Sequence, residues 1–258
     1  MAELFQCGRL CLVGEHSDWA AVRGYFPGHC LIVGTDQGIR ADADRDDRVR
    51  IDVIPPEGIG WQIDVNRHGL LPVVHSDSPG RYAAAVAHLM AQAYPVGGIR
   101  IRMVQDLPIG AGVSSSAAAC VLIARAFSEV YGLALFNHEL MDLAYRAEHL
   151  AGSHCGRMDQ ACIYGDRPVH VTFQTDGHAP TIDPIRAGGD LFLMYVQLGG
   201  TKDTVRILDD LQGAYGQDAL LRDTLGPVNE VLVRQVYRAV REGDGIRLGA
   251  LMHLAQRN

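Results

Sequence analysis

Along the first third of the chain, apolar positions come in short runs or alternate with polar ones. GRLCLVGE is a short apolar run, HCLIVGT and GIRADAD are parted by the turn signal DQG, and RVRIDVI alternates with period two. Each predicts a strand. RYAAAVAHLMAQAY is alanine-rich, long enough for a helix, and stops before Pro95. GIRIRMVQD alternates again and predicts a strand. From Ser114 a helix is predicted through SAAACVLIARAFSEVYG to Gly132, and NHELMDLAYRAEHLAG predicts another, with Asn137 as its N-cap and Gly152 as its stop. In the last third RPVHVTF and GGDLFLMYVQLG predict strands. TKDTVRILDDLQGAYG, GPVNEVLVRQVYRAVREGDG and IRLGALMHLAQRN predict helices. Strands ahead of helices give an α+β or α/β class. The turn-rich stretch QTDGHAPTIDPIRAGGD places a domain boundary near 175–190, dividing residues 1–180 from 181–258.

Composition narrows the class without naming a chemistry. The chain has 258 residues, 48% hydrophobic and 21% charged, an ordinary globular balance with room for a sizeable core. A formal net charge of -7 and the lack of a Lys/Arg run argue against nucleic acid as a partner. No stretch approaches the roughly 20 apolar residues that span a bilayer, and MAELFQCGRLCLVGEH does not read as a signal peptide. Cys7, Cys11, Cys30, Cys120, Cys155 and Cys162 form no CxxC pair, so reduced thiols in a cytoplasmic protein are expected.

The stretch PIGAGVSSSAA, Pro108–Ala118, stands where a strand turns into a helix. Glycines there turn backbone N–H groups outward, the helix dipole adds positive potential, and the pair makes an anion site, most often for phosphate. GxxxxGK[ST] fails for want of a lysine, and GxGxxG fails at Ser115. Taken alone, the segment fits a helix packed closely on a sheet through small residues equally well.

Two further segments make the pattern specific. PIGAGVSSSAA resembles the second motif of the kinase superfamily of galactokinase, homoserine kinase, mevalonate kinase and phosphomevalonate kinase, the GHMP kinases. GRLCLVGEHSDW resembles the first motif of galactokinases, GRVNLIGEHTDY, and YRAEHLAGSHCGRMDQ resembles their RAEH…CGIMDQ segment. The three occur in the family's order over residues 8 to about 160. The resemblance implies an N-terminal domain like ribosomal protein S5 domain 2 and a ferredoxin-like C-terminal domain. It implies ATP and Mg2+ as cofactors and a small sugar-like acceptor.

Residue by residue, the resemblance makes Asp159 the proton acceptor, with Arg9 holding it ionised and lending charge to the transition state. It places Gly110, Ala111, Gly112, Val113, Ser114, Ser115, Ser116 and Ala117 on the nucleotide. Ser115, Ser116 and Glu148 would hold magnesium. Glu15, His16 and Asp18 fall where GEHTD holds sugar hydroxyls, each of which needs a donor and an acceptor.

Departures from the pattern bear on the substrate. Trp19 replaces a tyrosine, AAVRGYFPGHCLIVGT replaces the galactokinase continuation, and Arg157 replaces the isoleucine of CGIMDQ. Arg157 suits an acidic acceptor such as a uronic acid or sugar phosphate, or faces solvent. In GGTKDT, Lys202 and Asp203 are further candidates. No counterpart of the family's third motif, roughly GAGxGG, follows residue 200, so the C-terminal domain is expected to be incomplete. The expected activity is phosphorylation of a sugar hydroxyl, the anomeric one included. The alternatives are a kinase of a non-sugar alcohol such as mevalonate and a catalytically silent sensor of sugar and ATP. Oligomeric state is not legible.

Overall fold

A computed structural model describes residues 1–257 apart from 56–57, 109 and 197–203, with only the backbone of 204–205. Lys202 and Asp203 therefore lie outside the described residues. In chain order the elements are β1 (Ala2–Val13), α1 (Ser17–Ala21), β2 (Gly28–Asp46), β3 (Val49–Ile54), β4 (Trp61–Val65), α2 (Leu70–Val74), α3 (Arg81–Ala93), β5 (Gly98–Gln105), α4 (Ser115–Tyr131) and α5 (Asn137–Leu150). A 3-10 turn, Asp159–Tyr164, precedes β6 (Val169–Phe173), β7 (Thr181–Pro184), α6 (Thr204–Tyr215), α7 (Ala219–Asp223), α8 (Asn229–Glu242) and α9 (Gly245–Arg257). The class is α+β with a mixed sheet.

The chain divides into two interleaved compact units, and residue 180 lies inside the second. The first joins Met1–Gly8 to Thr35–Cys155, and the second joins Arg9–Gly34 to Gly156–Asn258. In the first unit β3 runs parallel to β5 and antiparallel to β4, while the C-terminal half of β2 pairs with the other edge of β5. The register sets Val49, Ile51 and Val53 beside Ile99, Ile101 and Met103, all buried. Arg100 and Arg102 alternate outward, as a half-buried strand requires. Helices α3, α4 and α5 pack on one another, and α4 packs on β5. Their alanines permit it: Ala83, Ala84, Ala85, Ala117, Ala118 and Ala124 are all buried, and small side chains let helices approach closely.

In the second unit the N-terminal part of β2 pairs with β6, and β6 with β7, all antiparallel. Leu12, Val13, Leu31 and Ile185 meet Leu232, Val233, Val236 and Val240 of α8 and Leu248 and Leu251 of α9 in one core. A smaller core gathers Trp19, Ala20 and Tyr215 with leucines of α6 and α7.

Three expectations are corrected, and four short elements carried no signal. β2 runs unbroken through DQG, because Asp106 ties Gly38 down: its N–H donates to the Gly38 carbonyl and its carboxylate accepts from the Gly38 N–H. A satisfied extended pair leaves no reason to turn. Asn137 is the first helical residue of α5, not its cap; the exposed N–H is that of Phe136, which donates to Glu139. The apolar run in GGDLFLMYVQLG forms no strand over the described residues 188–196, where Phe192 and Met194 are 95% and 89% exposed. It has no ladder partner there. Finally, α1, α2, β4 and β7 are too short to carry a periodic signal.

The alanine-lined packing of α3 leaves no room for a larger side chain. Ala85→Leu is expected to destabilise the chain by about 1–3 kcal/mol through overpacking. The check is a lower urea midpoint with an unchanged denaturant slope.

Candidate active site

The first unit carries the glycine-rich loop. β5 leads through Asp106–Val113 into α4, and both glycines of the loop have left-handed backbone, Gly110 at φ 70 and Gly112 at φ 78. A side chain at either position would meet nothing within 4 Å, so glycine is required here for backbone angle and leaves an open face. Ser114, at the N-cap of α4, is itself left-handed at φ 56 and makes no capping side-chain hydrogen bond. A non-glycine residue in that region is strained. The first-turn N–H groups of a 17-residue helix are thus not capped by that side chain, which suits a bound anion. Val113 and Ala117 turn their side chains into the core and can offer a nucleotide only backbone. Ala111, Ser114, Ser115 and Ser116 are partly exposed.

Of the three residues expected at magnesium, the structure joins two. The Ser116 hydroxyl on α4 donates to Glu148 Oε1 on α5 at 2.9 Å, and Glu148 is 2% exposed. Ser115 makes no side-chain hydrogen bond among the described residues. No group of three His, Cys, Asp or Glu side chains that could hold a metal occurs among them either. A hydroxyl beside a buried carboxylate is a hard-oxygen donor set, and it fits Mg2+, which takes one or two protein oxygens and completes its shell with phosphates and water.

The second unit carries a guanidinium among carboxylates. Arg9, on β1 and 6% exposed, donates from Nε (3.0 Å) and Nη2 (2.5 Å) to Asp159 Oδ1, and Nη2 lies 3.4 Å from Glu15 Oε1. Burial pulls the guanidinium toward losing its proton, but the charges of Asp159 and Glu15 more than offset this, so its pKa rises overall. Asp159 opens the 3-10 turn, and its side chain stays 26% exposed. A partly exposed carboxylate held by a buried arginine is fixed in place yet reachable.

Asp18 joins the same group from α1. It is buried, its Oδ2 accepts from the Met158 N–H at 3.1 Å, and burial plus the neighbouring Asp159 charge push its pKa from 3.8 up to about 6. Gly156 makes the approach possible: a Cβ there would sit 1.9 Å from Asp18 Oδ2. Sequence reasoning did not assign Gly156, although the glycine of CGRMDQ was the available signal. Nor did it assign Trp19. This indole, 5% exposed and edge-on to Tyr215, donates from Nε1 to His16 Nδ1 at 3.1 Å. Trp19 thereby leaves the His16 ring proton to Nε2. Arg157 is partly buried, two residues before Asp159.

Residues 81–166 match the family described as the GHMP kinases N terminal domain. A galactokinase of Thermotoga maritima is 28% identical over 167 residues, 64% of this chain and 44% of its own length. The match therefore spans less than half of that relative. Among solved structures, a phosphomevalonate kinase of Streptococcus pneumoniae, in complex with phosphomevalonate and AMPPNP, superposes with a TM-score of 0.72 at 14% identity. It covers 100% of this chain and 79% of its own. A galactokinase of Lactococcus lactis complexed with galactose gives 0.69 at 15% identity, over 99% and 74%. No helix of the described residues is long and apolar enough to cross a membrane.

A carboxylate whose pKa is raised on folding stabilises the fold at low pH and loses that contribution as pH climbs through the folded value. Stability is therefore expected to fall between about pH 4 and pH 6 by about 3 kcal/mol on account of Asp18. Urea titrations across that window should show the slope in the native chain and its loss in Asp18→Asn. Gly156→Ala should force the Asp18 carboxylate off the Met158 N–H, a bond that opposes the rise in its pKa, and lower the urea midpoint at neutral pH.

Proposed function

We propose that this chain, which belongs to the GHMP kinase superfamily, transfers the terminal phosphoryl group of ATP to a hydroxyl of a small sugar or sugar derivative. The Arg9–Asp159 pair carries the reading. Phosphoryl transfer needs little covalent chemistry from a protein; it needs an aligned hydroxyl, a place for its proton, and positive charge near the transferring group.

The residues present supply each of these. The Gly110–Ala117 loop and the N-terminus of α4 suit the phosphates of ATP. Mg2+, when bound, would be held by Glu148 and Ser116 and would supply charge to phosphate oxygens. Asp159 orients the acceptor hydroxyl and takes its proton, while Arg9 keeps Asp159 ionised and contributes positive charge as the phosphoryl group passes. Glu15, His16 and Asp18 combine acceptors with a ring N–H, the pairing a polyol demands, and such a site separates epimers sharply. That combination favours a sugar over an alcohol such as mevalonate. Six cysteines outside any disulfide are compatible with a reducing, cytoplasmic setting.

The test is ADP release with MgATP across neutral sugars, uronic acids, sugar phosphates and mevalonate. One sugar-class acceptor should stimulate release, and Asp159→Asn should lower it by about a hundredfold or more while ATP still binds. Stimulation should also weaken below about pH 6, as Asp18 takes up its proton. Sugar and ATP binding without ADP release would replace the kinase by a sensor.

A further inference from the structure

Within the second unit, away from Arg9 and Asp159 in composition, lies a cleft of about 700 Å³. That size suits a small organic ligand. One wall is the face of α8 that bears Arg234, Tyr237, Arg238 and Arg241; the floor is formed by His29 of β2, His170 and Thr172 of β6 and Asp183 of β7. Strand register puts the floor together: Leu31 pairs with His170, His29 with Thr172, and His170 with Asp183.

The charges in this cleft are not all spent. Arg234 is paired with Glu230 at 2.6 Å, and Glu242 with Arg247 at 3.3 Å. Among the described residues neither Arg238 nor Arg241 has a carboxylate partner; Arg241 only overlies the Tyr237 ring at 5.9 Å. Two guanidinium forks on one helical face, three residues apart, match the planar, bidentate recognition of phosphate. The floor is flat and aromatic. The His29 and His170 rings stack at 5.4 Å, 20° from parallel, with His29 Nδ1 3.3 Å from His170 Nε2, and Tyr237 stands edge-on to His170. Asp183, also without an ion pair among the described residues, offers an acceptor for hydroxyl groups.

We propose that this cleft is a second ligand site, for a phosphorylated polyol: the phosphate on Arg238 and Arg241, the ring on the stacked imidazoles, a hydroxyl on Asp183. The site does not depend on the kinase reading, since none of its residues takes part in it. Its floor is nonetheless tied to the acceptor turn. The His29 carbonyl accepts from Ser17 Oγ at 2.8 Å and from Asn229 Nδ2 at 2.7 Å, and Ser17 directly precedes Asp18.

The imidazoles supply a local readout. Burial lowers both pKa values; Arg234 also lowers both, Glu230 opposes it at His29, and at His170 the facing His29 lowers while Asp183 raises. Thr172 Oγ1, 3.4 Å from His29 Nδ1, and Tyr237 complete their surroundings. A phosphate seated on Arg238 and Arg241 favours the imidazolium, so the midpoints of both rings must rise.

The experiment is a titration of the full chain with glucose 6-phosphate, followed by NMR of the imidazole resonances. His29 and His170 are assigned with His29→Gln and His170→Gln. Glucose is the control without phosphate. Saturable movement of both resonances and a rise in their titration midpoints are expected with glucose 6-phosphate and not with glucose. Arg238→Ala/Arg241→Ala, on exposed positions, should weaken the binding at least about tenfold. Resonances that stay still at millimolar glucose 6-phosphate, or that move equally in the double variant or with glucose, would overturn the proposal. ADP release is scored separately, so a chain silent as a kinase still answers this question.

Discussion

A buried guanidinium is tolerable only if its surroundings are arranged around it. Arg9 leaves water at a cost that nothing apolar can offset, and it is held by carboxylates from two distant parts of the chain, Glu15 and Asp159. The second unit is organised by that requirement. β1 brings Arg9 in, the GEHSDW turn brings Glu15 and Asp18, and the turn after Gly156 brings Asp159. Asp18, the most buried of the three carboxylates, bears the cost: burial first, and then the charge of the neighbouring Asp159, raise its pKa.

In the first unit a different constraint does comparable work. There the backbone, not a side chain, is spent: three successive departures into left-handed angles, at Gly110, Gly112 and Ser114, end a strand and open a helix without a side-chain cap from Ser114. Strain of this kind persists where surrounding packing over-determines it. The buried alanines of α3, α4 and α5 provide that packing. The same helices bring Ser116 to Glu148, so the loop and the carboxylate beneath it share one scaffold.

Long elements with strong periods were legible from sequence: α3, α4, α5, α8, α9, β3 and β5 all stand where the patterns put them. Failures had local causes. DQG is a good turn signal, but Asp106, far along the chain, satisfies Gly38 in extended form. The LFLMYV run has strand composition, yet a strand is a relation between segments and cannot be read from one of them. Among the candidate residues, Arg9, Glu15, Asp18 and Asp159 were singled out because their motifs resemble a family, and the structure joins Arg9 to Glu15 and Asp159. Gly156 and Trp19 were not, because their roles consist of what they touch. Nothing in the helical pattern GPVNEVLVRQVYRAVREGDG singles out Arg238 and Arg241; only the strands opposite give that face a floor.

Trp19 has a consequence for how the molecule can be watched. The chain contains two tryptophans, and they fall one in each unit, Trp61 on β4 of the first and Trp19 on α1 of the second. The Trp19 indole is shielded from water and bonded to His16. Displacement of that ring breaks the bond and changes the surroundings in which the indole emits. The protein thus carries its own optical probe beside Asp18, with a second chromophore in the other unit as internal reference.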